Sequence, residues 1–258
     1  MILVLVVLLL GAGASADLQC SVIPGRLKQV DAGAGQVYGV NDNDDIYQWV
    51  DNDWRQIPGK LIHVTVGPAG VWGVNRANQI YKLQDNAWML VTGALKQIDA
   101  GGEKFLSGAN GYDWIYCLNQ DQTLSRSASL SYTQLDGSLK YYSCGRYGCW
   151  GVNMHNNIYY RHNVKPNACR GSHWQQIDGS LVMVEVGTDG SVYGVNANGD
   201  VYTRERISAS NPMGSSWTKL DFCGSFRHVS CDQEHIWLLT KDGDIYKCKV
   251  SGAAVPTL

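Results

Sequence analysis

The sequence predicts an all-β fold, a six-bladed β-propeller of four-stranded antiparallel blades. Six segments end in an Ile-Tyr or Val-Tyr pair, at Tyr47, Tyr81, Tyr116, Tyr159, Tyr202 and Tyr246, with spacings of 34, 35, 43, 43 and 44 residues. An aromatic-Gly-Val-Asn signature precedes most of them: Tyr38 to Asn41, Trp72 to Asn75, Trp150 to Asn153 and Tyr193 to Asn196. Within each unit, short period-2 segments alternate with Gly, Asn and Asp, which is the pattern of hairpins. Helical i, i+3, i+4 stripes are absent. A unit of about 40 residues made of four antiparallel strands is a propeller blade.

Taken in order, the chain opens on a segment outside the fold. Ile2 to Leu10 is an unbroken apolar run, and Ala14-Ser15-Ala16 is the small-residue pattern cut by signal peptidase. Residues 1–16 therefore read as a secretory signal peptide, too short for a membrane span. Residues 17–258 read as a single propeller domain of a secreted, extracellular protein.

The fifth unit shows the blade most plainly. SLVMVEV (180–186) alternates until Gly187, SVYGVN (191–196) follows, and a turn at Ala197 to Asp200 leads into VYTRE (201–205). An outer strand beginning at Trp217 completes it. In most units that outer strand reads Trp-x-x-Ile-x-Gly, as in Trp54 to Gly59. The mature N-terminus carries Cys20 to Gly25 in the same register, whereas the sixth unit stops at Lys247-Cys248-Lys249 without an outer strand. The N-terminal segment must supply that strand and close the ring. Pairing beside Tyr246 would set Cys20 against Cys248.

All eight cysteines follow residue 16, and no CxxC pair is present, so a disulfide framework is expected rather than metal ligation. Beyond Cys20–Cys248, the turn Gly145 to Gly148 allows Cys144–Cys149, and Cys117 can reach Cys169 on the neighbouring blade. Cys223–Cys231 is then left, although eight extended residues would hold the two about 26 Å apart unless the chain turns near Gly224.

The formal charge is −2 and no basic stripe occurs, which argues against nucleic acid as a partner. HExxH, GxSxG, P-loop and dinucleotide motifs are missing, as are sialidase boxes. The six histidines fall at non-equivalent repeat positions. A catalytic constellation is therefore not expected. The longer connection with Arg161, His162, Lys165 and Cys169 reads as a surface loop.

The aromatic-Gly-Val-Asn and Ile-Tyr motifs resemble tectonin repeats, and the whole mature chain resembles the fish egg lectin family. The third copy, Phe105 to Asn110, and the sixth, Trp237 to Thr240, depart from the motif. The resemblance implies a six-bladed secreted lectin, often oligomeric, that binds N-acetylglucosamine-type and other bacterial surface sugars in the innate defence of eggs.

From the residues themselves, sugar contacts are expected on the face carrying the turns between second and third strands. The candidates there are Asp42, Asn43, Asp44, Arg76, Asn78, Tyr112, Asp113, His155, Asn156, Asn198, Asp200 and Asp242. Asn, Asp and Arg can engage adjacent hydroxyls, and an aromatic ring can cover the apolar face of a sugar. Trp114 lies in the same region as Tyr112, with Trp49 and Tyr147 as further candidates elsewhere. Turn geometry alone also favours Asn, Asp and Gly at such positions. The Ile-Tyr tyrosines and the signature aromatics read as packing residues. Asp42 to Asp45 raise calcium as an alternative, but the EF-hand spacing is not completed and no metal or other cofactor is assigned. A secreted scaffold that binds a protein partner is the other functional reading.

Overall fold

The computed structural model describes residues 18–250; the proposed signal peptide and its cleavage point lie outside the described residues. Twenty-four strands and one short helix (Gln120–Leu124) form six four-stranded antiparallel sheets. Blade 1 comprises β2 (Gln29–Gly33), β3 (Gln36–Val40), β4 (Asp45–Val50) and β5 (Asp53–Lys60). Blades 2 to 5 repeat that order, over 63–94, 97–138, 141–177 and 183–219. Blade 6 joins β22 (Phe226–Asp232), β23 (His235–Thr240) and β24 (Asp244–Val250) to β1 (Leu18–Arg26) from the other end of the chain.

In the closing strand pair Cys20 lies directly opposite Cys248, and the two are joined in a disulfide. Cross-linking residues 228 apart removes about 5 kcal/mol of chain entropy from the unfolded state on the loop-closure account. Cys144–Cys149 closes the hairpin of blade 4, and Cys117–Cys169 ties blade 3 to blade 4. Cys223 and Cys231 are not bonded, which corrects the expected fourth pair. Cys231 sits near the end of β22, while Cys223 precedes its start at Phe226. That strand keeps the two apart, since each residue of it advances about 3.3 Å. Cys231 occupies the register of Cys144, but the residue facing it across the hairpin is Ile236 rather than a cysteine.

Each residue of the signature has its own structural duty. The aromatic is buried between blades, as Trp72 and Trp150 show. The Gly leaves a seat for the Leu that enters the blade. A Cβ on Gly73 would lie 2.3 Å from Leu61 Cδ1, and one on Gly151 2.3 Å from Leu139 Cδ1. The Val is core. The Asn caps the following turn, its Oδ1 accepting amide N–H groups from two and four residues on: Asn41 from Asn43 and Asp45, Asn75 from Ala77 and Gln79, Asn153 from His155 and Asn157.

At the axis, one matching position of each innermost strand alternates acid and hydroxyl around the ring: Asp31, Thr65, Asp99, Ser143, Glu185 and Ser230, all buried. Asp31 accepts from Val66 N at 2.6 Å and Ser230 Oγ at 3.0 Å, and Asp99 accepts from Cys144 N at 2.9 Å. Ser143 Oγ lies 3.1 Å from Asp99 and 3.0 Å from Glu185 while accepting from Val186 N. A hydroxyl has one proton, so it can donate to only one of these carboxyls. The other must itself be protonated and donate to Ser143. Burial accordingly raises Asp31 to about 6 and pushes Asp99 and Glu185 upward, with the neighbouring carboxylates adding to the rise in both.

Candidate functional site

The turns between second and third strands share a face with the chain crossing from blade to blade. The fourth turn residue of each blade is left-handed: Asp44, Asn78, Asp113, Asn156, Gly199 and Gly243. Its carbonyl accepts from the entering residue of the next blade, as in Leu61 N to Asp44 O and Leu139 N to Asp113 O, both near 3.0 Å. Several expected sugar contacts are thus committed within the turns. Asp44 is buried between Lys28 and Arg76. Burial pushes its carboxyl upward, but the two cations outweigh this and hold it below its ordinary range. Asp113 pairs with Lys96, and Asn156 accepts from Lys140. Asp200 is held low by Lys219 and Asn196.

Asp42, Arg76 and Asp44 are brought together, since Arg76 also reaches the carbonyl of Asp42. Asn43, His155, Asn198 and Asp242 are exposed on separate turns, and Asn78 is half-buried. Tyr112 is 78% exposed and stacks at a tilt on Trp114, 5.6 Å between centroids. Trp49 is packed against Trp54 and Trp237. Tyr147 packs beside Gly190 of the next blade. Among the described residues no group of three or more His, Cys, Asp or Glu side chains is arranged to hold a metal ion. Asp45, like Asp44, is engaged by a cation, Lys60.

The recurring concavity lies beside these turns, in the clefts between blades. Three such pockets share one plan. The first, of about 320 Å³, is lined by Gly137, Ser138 and Leu139 from the crossing segment and by Asn153, Tyr159 and Trp174 from blade 4. The second, about 170 Å³, has Gly179, Ser180 and Leu181 with Asn196, Tyr202 and Trp217. The third, about 230 Å³, has Gly59, Lys60 and Leu61 with Asn75, Tyr81 and Trp88. Each takes the last residues of one blade's outer strand as one wall, and the signature Asn, the Ile-Tyr tyrosine and the outer-strand Trp of the next as the other.

The outer-strand motif exists for this junction. Its glycine is where the next blade's aromatic lies flat: a Cβ on Gly137 would meet Trp174 Nε1 at 3.2 Å, and one on Gly179 would meet Trp217 at 3.3 Å. The same glycines have φ of 89° and 121°, a backbone that L side chains rarely adopt. Trp174 Nε1 donates to Asp136 O at 2.8 Å and Trp217 Nε1 to Asp178 O at 3.1 Å, fixing each indole.

The repeat pattern by itself assigns the Ile-Tyr tyrosines to packing. They are half-buried in all six blades, while the residue before each is buried in the blade core. Adjacent strand residues point to opposite faces, so Ile and Tyr serve different neighbours. The available signal was the retention of Tyr, not Phe, in every copy. Tyr159 Oη, Asn153 Nδ2 and the Ser138 hydroxyl make no hydrogen bond among the described residues, whereas in the third pocket Asn75 Nδ2 is engaged by Gln79 and Tyr81. The first pocket is therefore both the largest of the three and the freest to bond a ligand.

A family model for the tectonin domain matches residues 26–241. The chain belongs to the tectonin family. Among its relatives is the fish-egg lectin of Cyprinus carpio, 50% identical over 234 residues, an alignment covering 90% of this chain and 98% of that protein. In fold, this tectonin protein is similar to human WBSCR16, with a TM-score of 0.58 at 11% identity over 91% of this chain and 73% of that one. The WD40 repeats of RRP9 give 0.58 at 8% identity over 91% and 100%. At such identities the two solved structures speak to the propeller alone.

Proposed function

We propose that the protein is a lectin that binds single sugar units of cell-surface glycans in its inter-blade pockets, without a chemical step. The observation that carries this reading is the recurrence of one Tyr–Trp–Asn pocket in three clefts at the same register. Trp and Leu form an apolar wall for a sugar's C–H face, and Tyr, Asn and Ser supply hydrogen bonds at its edge. In the first pocket, Trp174 and Leu139 suit the methyl of an N-acetyl group, and Asn153 Nδ2 suits its carbonyl. N-acetylglucosamine is therefore the preferred unit. The fish-egg lectin relative supports a carbohydrate ligand, and three disulfides suit an extracellular protein that follows a signal peptide at residues 1–16.

A monosaccharide offers few atoms, so each pocket binds weakly. Several pockets held in a rigid ring gain avidity on a polyvalent surface such as a bacterial polysaccharide, by about 10²–10⁴ where spacing allows, and a homo-oligomer would extend this. Such a device fits innate defence. The polar turn residues, Asp42, Asn43 and His155 among them, then serve as secondary contacts around the pocket mouths. One observation favours the scaffold reading: the exposed Tyr112–Trp114 stack offers an aromatic surface to a protein partner.

The deciding experiment is a broad glycan array with the secreted protein. Retention on N-acetylglucosamine, reversed by the free sugar, is expected. Silence across the array, with one stoichiometric protein copurifying, would overturn the lectin reading in favour of the scaffold.

A further inference from the structure

A larger concavity, about 540 Å³, lies between blades 1 and 2 toward the opposite face of the ring. Its presence follows from hairpin length. In blade 2, β8 (Gln79–Gln84) and β9 (Ala87–Ala94) are joined by Asp85 and Asn86 alone, both left-handed, the tightest hairpin available. The corresponding connections in blades 3, 4 and 5 run over residues 119–132, 162–173 and 205–216, and each folds back over the blade before it. Thr92 of blade 2 bonds Ala128 and Leu130 of the first of these loops, and Pro166 and Cys169 of the second hold Asn119 and Gln120 of blade 3. Ile207 and Met213 of the third pack on the cluster around Trp150. The cleft between blades 1 and 2 has no such roof.

What the open cleft presents is a set of unused hydrogen-bonding groups over an apolar floor. Val71 and Leu83 form the floor, and Gln36, Gln48, Arg55, Gln56 and Asn86 line the walls. Among the described residues the side chains of Gln48, Arg55, Gln56 and Asn86 make no hydrogen bond. Gln36 uses only its Oε1, accepting from Tyr38 Oη at 3.3 Å. A primary amide places a donor beside an acceptor, the complement of two vicinal hydroxyls. Of the two charged lining residues, Asp85 is paired with Arg126, and Arg55 makes no ion pair among the described residues, so its guanidinium offers further donors to hydroxyls. The volume lies within the ordinary range of ligand sites, about 300–1,000 Å³, and exceeds each of the single-unit pockets.

We propose that this groove is a second glycan-binding site, taking a neutral oligosaccharide by its vicinal hydroxyls across the four amides. The inference rests on the reading of the protein as a lectin, but it concerns a different site on a different face.

The test uses the full secreted chain against immobilised neutral saccharides from single sugars to hexasaccharides. Three proteins are compared: wild type, the groove variant Gln48→Ala/Gln56→Ala, and the pocket variant Tyr159→Ala. The groove variant is expected to lose about tenfold in affinity for the longer saccharides and to keep its affinity for single sugars. The pocket variant is expected to weaken single-sugar binding through loss of the first pocket, with the other pockets intact, while keeping the preference for longer chains. Gln56 is exposed and Gln48 half-buried, and thermal unfolding of the groove variant checks that its fold is intact. Unchanged affinities in a folded groove variant overturn the second site and leave the pockets standing. Absence of any binding by wild type overturns both readings together.

Discussion

Two serines of the same chain, Ser143 at the axis and Ser138 at a pocket mouth, show how one repeat produces opposite environments. Ser143 is fully buried, accepts the amide of Val186 and lies between the carboxyls of Asp99 and Glu185. Ser138 is exposed and makes no side-chain hydrogen bond among the described residues. Along the axial belt Ser143 bridges Asp99 and Glu185, and Ser230 donates to Asp31, so these polar groups are partnered within the protein. At the mouth of the pocket, Ser138, Asn153 and Tyr159 keep hydrogen-bonding capacity in reserve. Polar groups without partners are tolerable only where water can reach them, and those are the groups a ligand can use.

The sharpest way to break this contrast is the same substitution at both places. Ser143→Ala leaves the Val186 amide without an acceptor and the two carboxyls without their bridge. At about 1–3 kcal/mol per buried unpartnered group, the expected loss is several kcal/mol in denaturant unfolding. Ser138→Ala should change stability by no more than about 0.5 kcal/mol. Equal effects at the two positions would show that the belt is not a structural unit.

Titration comes next in size. The belt carboxyls have folded values above their ordinary range: about 6 for Asp31, and raised values for Asp99 and Glu185. Their stabilising contribution is complete below the ordinary carboxylate range. It falls as pH rises through those folded values, because the unfolded chain ionises first. His63 and His228 act in the opposite sense. Burial lowers them to about 3 and about 4, so their contribution is present above pH 6.5 and is lost as pH falls toward those values. About one pH unit above 6.5 the unfolded histidines are neutral as well, so they no longer contribute a slope and the raised carboxyls of Asp99 and Glu185 do. Melting temperature should therefore decline above about pH 7.5, and Asp99→Asn should flatten that decline, since a tenfold change in proton affinity between the folded and unfolded chain is worth about 1.4 kcal/mol. A profile that stays as steep in Asp99→Asn would place the proton elsewhere in the belt.

Much of the ring and little of the axis or the pocket was legible in the sequence. The repeat set the number of blades, and the missing outer strand after Cys248 required the N-terminus to return beside it. Both are matters of register along one strand. The pocket is different, because Ser138 and Trp174 come from adjacent blades and meet only once the ring is assembled. Tyr159 read as a packing residue because strand periodicity identifies a face without saying how much of it a neighbour covers. The Cys223–Cys231 expectation rested on an even count, and β22 separates the two thiols. The groove between blades 1 and 2 depends on the length of one hairpin relative to three others, a comparison that gains meaning only when the loops are seen lying over the preceding blades.

The smallest expected effect is the most specific to the rim. Tyr159 Oη has no protein partner among the described residues, unlike Tyr47 Oη, which accepts from Asn41 at 3.4 Å. Tyr159→Phe keeps the ring that walls the first pocket and removes only the hydroxyl. No bond within the protein is lost, so unfolding free energy should be unchanged within about 0.5 kcal/mol. A sugar hydroxyl that paired with it loses one neutral hydrogen bond, about 0.5–1.5 kcal/mol, or about two- to tenfold in affinity for N-acetylglucosamine. Titration calorimetry beside urea unfolding separates the two quantities. Reduced binding at constant stability marks Tyr159 as a contact held open for ligand, while a loss of stability at constant binding would return it to the packing role its place in the repeat first suggested.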